Sequence, residues 1–507
     1  MKSLKYFLLL LTLPLLVACF EDKTTAADKP LSNITIEHGI DTLYNIYKFD
    51  TLVIEPVITQ DYMDKPLSYT WEINLEPYSH DEVFEYVGKE LGKFNCRLIV
   101  ENEDGKTFFP FVLYVNSDYE YGITVLSQDA DGNSMLSFMQ EPMSDGAVAK
   151  FTEYDCFTRN NPEEDFAAGA IDIVQCSGRL IIACQGGGSR RDAPTIYYLN
   201  EKTMVVENMF TVPEYDDFKP TILGVPSISP EGAVYPILCE NGKIYDFSVN
   251  EGVVSKPVLF KNTYSQSCLV DVTGTYYDIL FFDKDNKGLS LVSTGYGPYY
   301  CGETPNLELD NPLFETENHF AGRDLVAMVK IRMTPAQRRS VGHQEFLAMS
   351  TLAETPGDST RVEVLYSDFW KYDYVNNKSS FYTAYQQYAN IDMASCPITI
   401  STPCIANRKY YTLFFAKGRN IHRWNYTTSD IAELEKEPAW VRVGSPLAQI
   451  TGFEMSEDLK KTYVSFYEPQ VKGLNGSVWV FDTETGKILE RYNNFCYRPV
   501  KMFYKKR

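Results

Sequence analysis

The sequence predicts an all-β fold, in which a small sandwich of short strands precedes a long array of similar small sheets. Three observations predict it. The chain contains 36 Tyr and 30 Phe among its 507 residues, and strands favour aromatic side chains. Apolar residues at helical spacing are almost absent from residue 118 onwards. Instead, one pattern of strands and turns recurs about every fifty residues.

Length and charge restrict the organisation and the partners. A chain of 507 residues exceeds the size at which single cores stop growing, so we expect several domains or one large repeat-built domain. The formal net charge of −21 repels phosphate backbones and anionic lipid headgroups. We therefore expect neither a nucleic-acid partner nor electrostatic membrane binding.

The first element is a signal peptide at residues 1–18. Lys2 and Lys5 supply its positive end, and the apolar run 7–17 is too short to span a bilayer. The segment Leu16-Val17-Ala18-Cys19 resembles the bacterial lipobox. The resemblance implies that the chain is cut before Cys19 and that lipid on this cysteine is the membrane anchor.

A tether follows at residues 19–32. Residues 20–23 resemble the acidic export signal of Bacteroidota lipoproteins, which implies an outer-membrane protein facing the cell exterior. The same residues also fit a plain solvated tether. Residues 24–32 are small, polar and interrupted by proline, as in flexible spacers.

Residues 33–117 form the predicted sandwich, because short segments of alternating polarity are separated by turn residues. Tyr69-Thr70-Trp71-Glu72-Ile73, the segment 92–100 and the turn 102–105 resemble the PKD-type immunoglobulin-like domain. In that family the tryptophan is a core residue and an aspartate-glycine pair turns the final hairpin. The resemblance implies a spacer or adhesion module. The usual acidic-glycine run after the tryptophan strand is missing, so the form is a divergent, PKD-like one.

Residues 118–507 repeat a unit of strand, turn, aromatic strand, polar-glycine turn and exit strand. Such a unit cannot bury both faces of its sheet alone, and radial stacking solves this, so the pattern predicts a β-propeller of about seven blades. Two stacked sandwiches, the other architecture considered, do not explain the recurring turn. The segment 496–504 is a leftover strand that we expect to pair with residues 122–128. The candidate units begin at Tyr121, Ile171, Thr221, Leu269, Leu325, Ile398 and Ile450.

The combination of lipobox, PKD-like domain and propeller resembles the PKD-like lipoproteins of Bacteroidota. Members of that group accompany outer-membrane uptake systems of the starch-utilisation type. The resemblance implies capture of a glycan at the cell surface, with a TonB-dependent transporter and its lipoprotein lid as partners.

The residue types of catalytic and metal sites form no recognisable pattern. The five histidines show no paired spacing, and the ten cysteines other than Cys19 include no C-x-x-C, so we expect mostly buried thiols, no metal and no cofactor. Asp129-Ala130-Asp131-Gly132-Asn133 and the segment 283–288 place carboxylates two apart, as calcium loops do. We interpret both as hairpin turns.

Two loops and two tryptophans are the candidate ligand-binding elements. Three glycines in the loop 185–192 let backbone approach a ligand, and its arginines can grip a carboxylate or sulfate, although glycine clusters usually mark plain loops. Aromatic rings can stack on sugars, although most propeller tyrosines lie between blades. Trp71 and Trp479 are interpreted as core residues instead. The candidates are Arg190, Arg191, Tyr296, Tyr299, Tyr300, Trp370 and Trp440, the two tryptophans being placed in loop-like segments.

These observations favour a non-catalytic surface lipoprotein that binds a glycan or glycoconjugate, or that supports an uptake complex. The rivals are a propeller-fold glycoside hydrolase or polysaccharide lyase, whose carboxylate pair the sequence does not reveal, and a structural subunit of the transporter assembly.

Overall fold

The computed structural model describes residues 30–141, 151–176, 178–187, 192–212, 217–224, 234–248, 253–255, 263–270, 278–285, 287–293, 320–341, 344–355, 360–373, 378–391, 397–427, 434 and 438–505. The chain divides into two compact units, Met1–Ser117 (unit 1) and Asp118–Arg507 (unit 2). The predicted signal peptide, Cys19 and most of the tether lie outside the described residues. Within the described residues, no helix has the length and apolar character needed to cross a bilayer.

Unit 1 encloses one core around Trp71. A five-stranded sheet has the order β2-β9-β8-β5-β6, with β2 parallel to β9, and β1 with β4 and β3 with β7 form two-stranded ribbons. The Trp71 ring is fully buried, 4.8 Å from Phe84 and 6.2 Å from Phe111, so its predicted core role is confirmed. The strands are β1 (Ile34–His38), β2 (Leu43–Tyr47), β3 (Thr51–Ile54), β4 (Val57–Gln60), β5 (Ser68–Ile73), β6 (Glu76–Ser79), β7 (Phe84–Val87), β8 (Gly92–Asn102) and β9 (Gly105–Asn116).

Unit 2 is a succession of antiparallel sheets with two short helices, α1 (Cys156–Asn160) and α2 (Pro335–Val341). Its described strands are β10 (Gly122–Gln128), β11 (Ser134–Gln140), β12 (Thr152–Glu153), β13 (Ala170–Cys176), β14 (Arg179–Cys184), β15 (Thr195–Asn200), β16 (Val206–Thr211), β17 (Pro220–Leu223), β18 (Val234–Cys239), β19 (Ile244–Ser248), β20 (Val253–Ser255), β21 (Tyr264–Val270), β22 (Asp278–Asp283), β23 (Gly288–Ser293), β24 (Arg323–Arg332), β25 (Gln344–Leu352), β26 (Thr360–Asp373), β27 (Lys378–Ile391), β28 (Cys404–Asn407), β29 (Thr412–Lys417), β30 (Asn420–Asn425), β31 (Ala439–Arg442), β32 (Gln449–Met455), β33 (Lys461–Tyr467), β34 (Gly476–Asp482), β35 (Ile488–Cys496) and β36 (Arg498–Lys505).

These strands group in chain order. Sheet 1 contains β36, β10, β11 and β12; sheet 2 β13–β16; sheet 3 β17–β20; sheet 4 β21–β23; sheet 5 β24–β27; sheet 6 β28–β31; and sheet 7 β32–β35. Sheets 5 and 6 are joined by a parallel bridge of two residues between β24 and β28. We call the first strand of each sheet its leading strand, and β36 holds that position in sheet 1. The predicted pairing of the last strand with residues 122–128 is confirmed, because β36 pairs with β10 from Gly122 to Gln128.

Both faces of these sheets are buried, which explains why the sequences of their strands are runs of apolar residues rather than alternating apolar and polar residues. In β14, Leu180 and Ile182 pack in a cluster shared with sheet 1, whereas Ile181 and Ala183 pack in a cluster shared with sheet 3. Successive side chains point to opposite faces of a strand. Each middle sheet therefore lies between two neighbours and depends on both.

Glycine turns link neighbouring sheets in a repeated way. In sheets 1, 3 and 6 the turn between the second and third strands contains a glycine with positive φ, a conformation that glycine adopts at no steric cost. Its carbonyl accepts a backbone hydrogen bond from the start of the next sheet. The amide of Gly169 donates to Gly132 O (2.9 Å), that of Tyr264 to Gly242 O (2.6 Å) and that of Ile450 to Gly418 O (3.0 Å).

The remaining neighbours are also in contact. Gln185 Nε2 donates to Pro220 O (2.9 Å) between sheets 2 and 3, Lys287 pairs with Asp324 between sheets 4 and 5, and the hydroxyl of Tyr463 donates to Glu141 Oε1 (2.7 Å) between sheets 7 and 1. Antiparallel sheets that each pack on the next are the arrangement of β-propeller blades. Unit 2 is therefore an all-β, propeller-like array.

Candidate functional site

A pocket of about 340 Å³ lies where the leading strands of sheets 5, 6, 7 and 1 come together. We call it the central pocket. Each leading strand is the first strand of its sheet, and four of them line this pocket, so side chains far apart in sequence meet here. The pocket is lined by Met328, Val329, Lys330, Arg332, Thr402, Pro403, Cys404, Ile405, Thr451, Gly452, Phe453, Glu454, Val500, Lys501 and Met502.

Alternation along β24 sends its charged residues to the pocket. Lys330 and Arg332 are half-buried and line it, whereas Ile331 between them is buried in the apolar cluster shared by sheets 5 and 6. The period of two in a strand makes this division unavoidable. The same strand thus serves the core with one face and the pocket with the other.

Two ion pairs organise the charged groups. Arg332 Nη2 contacts Glu454 Oε1 at 2.6 Å and Oε2 at 2.8 Å, and Glu454 Oε1 also accepts the Met455 amide at 2.9 Å. Lys501 Nζ lies 3.0 Å from Asp172 Oδ1. The Asp172 carboxylate raises the pKa of the Lys501 ammonium, which keeps this cation charged.

Asp172 extends the arrangement to two further sheets. It lies on β13, and its Oδ2 accepts the amide of Leu223 on β17 at 2.9 Å, while Oδ1 accepts the amide of Ile173 at 3.0 Å. Through Lys501 and Asp172 the leading strands of sheets 1, 2 and 3 are connected. Together with the pocket lining, six of the seven leading strands converge on one region of unit 2.

The pocket has the features of a binding site for a small polar group. Charged side chains are held in fixed positions by hydrogen bonds to partners that are themselves buried, which is how a site is preorganised. Burial raises the pKa of the Cys404 thiol to about 12, so this residue is a neutral part of the wall rather than a thiolate nucleophile. In the part of the chain that the structure describes, no group of three His, Cys, Asp or Glu is placed to hold a metal ion.

Most of the ligand-binding residues predicted from the sequence are not tested by the structure. Arg190, Arg191, Tyr296, Tyr299 and Tyr300 lie outside the described residues. They stay predictions. Gly187 and Asp192 are the described residues on either side of Arg190 and Arg191, and the amide of Gly187 donates to Asp192 O at 2.9 Å.

The two candidate tryptophans lie on strands, and their predicted loop placement is wrong. Trp370 belongs to β26, although its side chain is outside the described part, and Trp440 belongs to β31. The half-buried Trp440 ring packs 4.8 Å from Phe414, with the Arg423 guanidinium 5.6 Å from its centre. The preceding Glu437-Pro438 pair suggested a loop, but pairing with β30 overrides that local preference. A role in sugar stacking stays a prediction.

The aspartate-rich turn is formed as a turn. Asp129 Oδ1 accepts the amides of Asp131 (2.9 Å) and Asn133 (2.8 Å), and Oδ2 accepts from Asn133 Nδ2 (2.9 Å). Both carboxylate oxygens therefore stabilise the hairpin between β10 and β11, as the turn interpretation predicted. Six cysteines whose side chains the structure describes are free thiols, and all of them are buried except the partly buried Cys404, which agrees with the predicted buried thiols.

Sequence reasoning missed the residues of the central pocket. A usable pattern was present, because three of the charges are each flanked by apolar residues within a leading strand: Ile171-Asp172-Ile173, Phe453-Glu454-Met455 and Val500-Lys501-Met502. One such charge is unremarkable in a single strand. Its role becomes visible only when charges on the leading strands of several sheets are seen to lie close together, which the tertiary structure shows.

The chain is similar to solved structures in fold but not to known families in sequence. No protein-family model matches the sequence, and no curated protein matches it. A quinoprotein alcohol dehydrogenase-like protein from Bacteroides thetaiotaomicron is similar at 12% identity and a TM-score of 0.41, over 94% of this chain and 100% of that one. A hypothetical selenium-binding protein from Sulfolobus tokodaii is similar at 11% identity and a TM-score of 0.39, over 76% of this chain and 93% of that one. The β-propeller domain of Swd1 from Myceliophteria thermophila is similar at 12% identity and a TM-score of 0.35, over 64% of this chain and 86% of that one. Similarities of this size carry no information on ligand or activity.

Proposed function

We propose that this protein is a non-catalytic, lipid-anchored surface protein that binds a glycan or glycoconjugate in the central pocket. In this proposal unit 2 is a closed β-propeller of about seven blades. Unit 1 is a PKD-like spacer, and the chain is anchored through lipid on Cys19 in the outer membrane, facing the cell exterior. The observation that carries the proposal is the convergence of leading strands on one polar pocket.

The size and polarity of the pocket support a small polar ligand or one residue of a larger glycan. Its volume of about 340 Å³ lies near the lower end of the range of about 300–1,000 Å³ for ligand pockets. Charged and hydroxyl-bearing side chains line it. Sugars present many hydroxyls and match such a surface through hydrogen bonds.

The state of the two carboxylates favours binding over glycoside hydrolysis. A glycoside hydrolase needs two carboxyl groups that reach the scissile bond of the bound sugar. Asp172 and Glu454 each accept two kinds of hydrogen bond, from a cationic side chain and from backbone amides. Those donors engage both oxygens of each carboxylate, which suits a structural support for cations.

The test is glycan retention by full-length, detergent-solubilised protein in native affinity gels that contain a panel of neutral and acidic polysaccharides. We expect retention by at least one polysaccharide and about a tenfold loss of affinity in Arg332→Gln. The matched control is Arg442→Gln, because Arg442 lies on the outer strand β31 and donates only to Asn420 among the hydrogen bonds described for it. Circular dichroism checks that both variants are folded.

Three outcomes would overturn the proposal in different ways. Retention that Arg332→Gln does not change would mean that the ligand binds elsewhere. Released reducing ends or unsaturated products would show a hydrolase or a lyase. Copurification with a TonB-dependent transporter, without retention by any polysaccharide, would show a structural subunit of an uptake complex.

A further inference from the structure

We propose that the ligand of the central pocket carries a carboxylate or sulfate group, so that its substrate class is an acidic glycan. This inference rests on the proposed function and deepens it. It follows from a difference in exposure between the two signs of charge around the pocket: the cationic side chains are accessible, whereas the carboxylates paired with them are buried.

The cations are the accessible members of both ion pairs. The side chains of Lys501 and Arg332 are 48% and 37% exposed, whereas those of Asp172 and Glu454 are each 5% exposed. A molecule that enters the pocket therefore meets ammonium and guanidinium N–H groups before it meets carboxylate oxygens. Groups that accept hydrogen bonds are the natural partners of such a surface.

The buried carboxylates are already engaged. Asp172 accepts from Ile173 N, Leu223 N and Lys501, so both of its oxygens have donors. Glu454 accepts from Met455 N and from Arg332. A neutral sugar must also find acceptors for its hydroxyl protons, and the carboxylates of this pocket are buried and already accept from protein donors. An anionic group has no such requirement.

Arg332 retains donors for a second anion. Both contacts with Glu454 are made through Nη2, and a guanidinium carries five N–H donors in a planar fork. The Nη1 and Nε donors take no part in the contacts with Glu454. Carboxylate and sulfate oxygens match this geometry in a bidentate manner.

The local charge contrasts with the charge of the whole chain. Lys330, Arg332 and Lys501 line the pocket, and the carboxylates paired with two of them, Glu454 and Asp172, are buried, whereas the protein carries a formal net charge of −21. A cleft whose accessible charges are cationic attracts anions locally, while the acidic outer surface repels them. The contrast supports selection of an anionic group inside the pocket.

The experiment measures binding of three probes of matched length to full-length protein by calorimetry: an oligogalacturonate, a sulfated dextran oligosaccharide and a neutral dextran oligosaccharide. We expect at least one acidic probe to bind about tenfold more tightly than the neutral one. Lys501→Met should weaken the acidic probe by about tenfold, and Lys472→Met by less than about twofold. Lys472 is exposed between β33 and β34 and changes the net charge equally. The carboxylate and sulfate arms identify which anion is recognised.

The results separate the inference from the function on which it rests. If the neutral probe binds as tightly as both acidic ones, or if Lys501→Met leaves acidic binding unchanged, the inference is wrong while glycan binding stands. If no probe binds and the polysaccharide panel also shows no retention, both fail together. Should Lys501→Met unfold because Asp172 loses its partner, Lys330→Met tests the contribution of another cation of the pocket lining.

Discussion

In unit 1 the strands surround one apolar cluster, whereas in unit 2 neighbouring sheets have clusters of their own. The unit 1 cluster contains Trp71, Phe84 and Phe111 and draws on both the five-stranded sheet and the ribbons. In unit 2, separate clusters are shared by sheets 1 and 2, 2 and 3, 5 and 6, 6 and 7, and 7 and 1. A single core makes every strand depend on the same few side chains. A repeated array instead distributes its stability over several seams.

The units also treat charge differently. In unit 1, Arg97 pairs with Glu72 and Lys65 with Glu103, and each pair includes an accessible side chain at the surface of the sandwich. In unit 2 the carboxylates of Asp172 and Glu454 are buried among the leading strands. Burying a charge costs free energy unless it is paired. The comparison shows that the charged pairs named in unit 1 lie at its surface, whereas unit 2 buries two charged carboxylates beside a polar pocket.

The largest effect is expected from the core of unit 1. Trp71→Ala removes a fully buried ring and the hydrogen bond from Nε1 to Asp81 O, which should lower the free energy of unfolding of unit 1 by about 4 kcal/mol. Chemical unfolding with hydrogen exchange at β8 measures this. Val53→Ala, at a side chain that is 52% exposed, is the control and should cost about 0.5 kcal/mol or less. Equal losses in the two variants would refute the single-core description.

A smaller effect is expected where β10 meets β36 in sheet 1. Gly122 has φ +151°, and a Cβ there would lie 2.0 Å from Met139 O, so Gly122→Ala should destabilise unit 2 by about 2–3 kcal/mol. Gly105→Ala in unit 1 is the matched control, since nothing lies within 4 Å of its Cβ position. Thermal unfolding measures the stability of both variants, and hydrogen exchange at β10 and β36 measures the local effect in sheet 1. A stable Gly122→Ala protein with protected β36 amides would contradict the prediction.

The smallest effect concerns two lysines with opposite pKa changes. Burial lowers the pKa of Lys505 in unit 2 to about 8, and its Nζ donates to the carbonyls of Tyr119 and Glu120. In unit 1, the hydrogen bonds that the Lys65 ammonium donates to Asp104 and Glu103 raise the pKa of Lys65. Between pH 8 and 10.5 the unfolded state holds more protons at Lys505 than the folded state does, so stability from this group rises with pH.

Relative to Lys505→Met, the wild-type protein should therefore gain about 2 kcal/mol in free energy of unfolding from pH 7 to pH 10. The difference between wild type and Lys65→Met should stay constant over that range, because Lys65 is charged in both states, and should fall only above pH 10.5. Denaturant unfolding at several pH values measures both. A flat difference for Lys505→Met would show that Lys505 is not buried as a lowered-pKa amine.

Local sequence patterns predicted much of the framework. The Trp71 core and the pairing of β36 with β10 were expected and are present. The expected starts at Ile171, Thr221 and Leu325 fall within β13, β17 and β24. The expected start at Ile398 was early, because sheet 6 begins at Cys404. Prolines and threonines before β28 do not mark where pairing with β24 begins, since that pairing is a contact between distant strands.

The sequence by itself determined the strand character, the turn glycines and the apolar runs, because these follow from local backbone preferences and from the period of two along a strand. It did not determine the central pocket. Asp172, Arg332, Glu454 and Lys501 lie on four different sheets, and their meeting depends on how those sheets are ordered around one region. Only the tertiary structure decided which charge faces which, because ion pairs between leading strands depend on distance in space and leave no periodic trace in the chain.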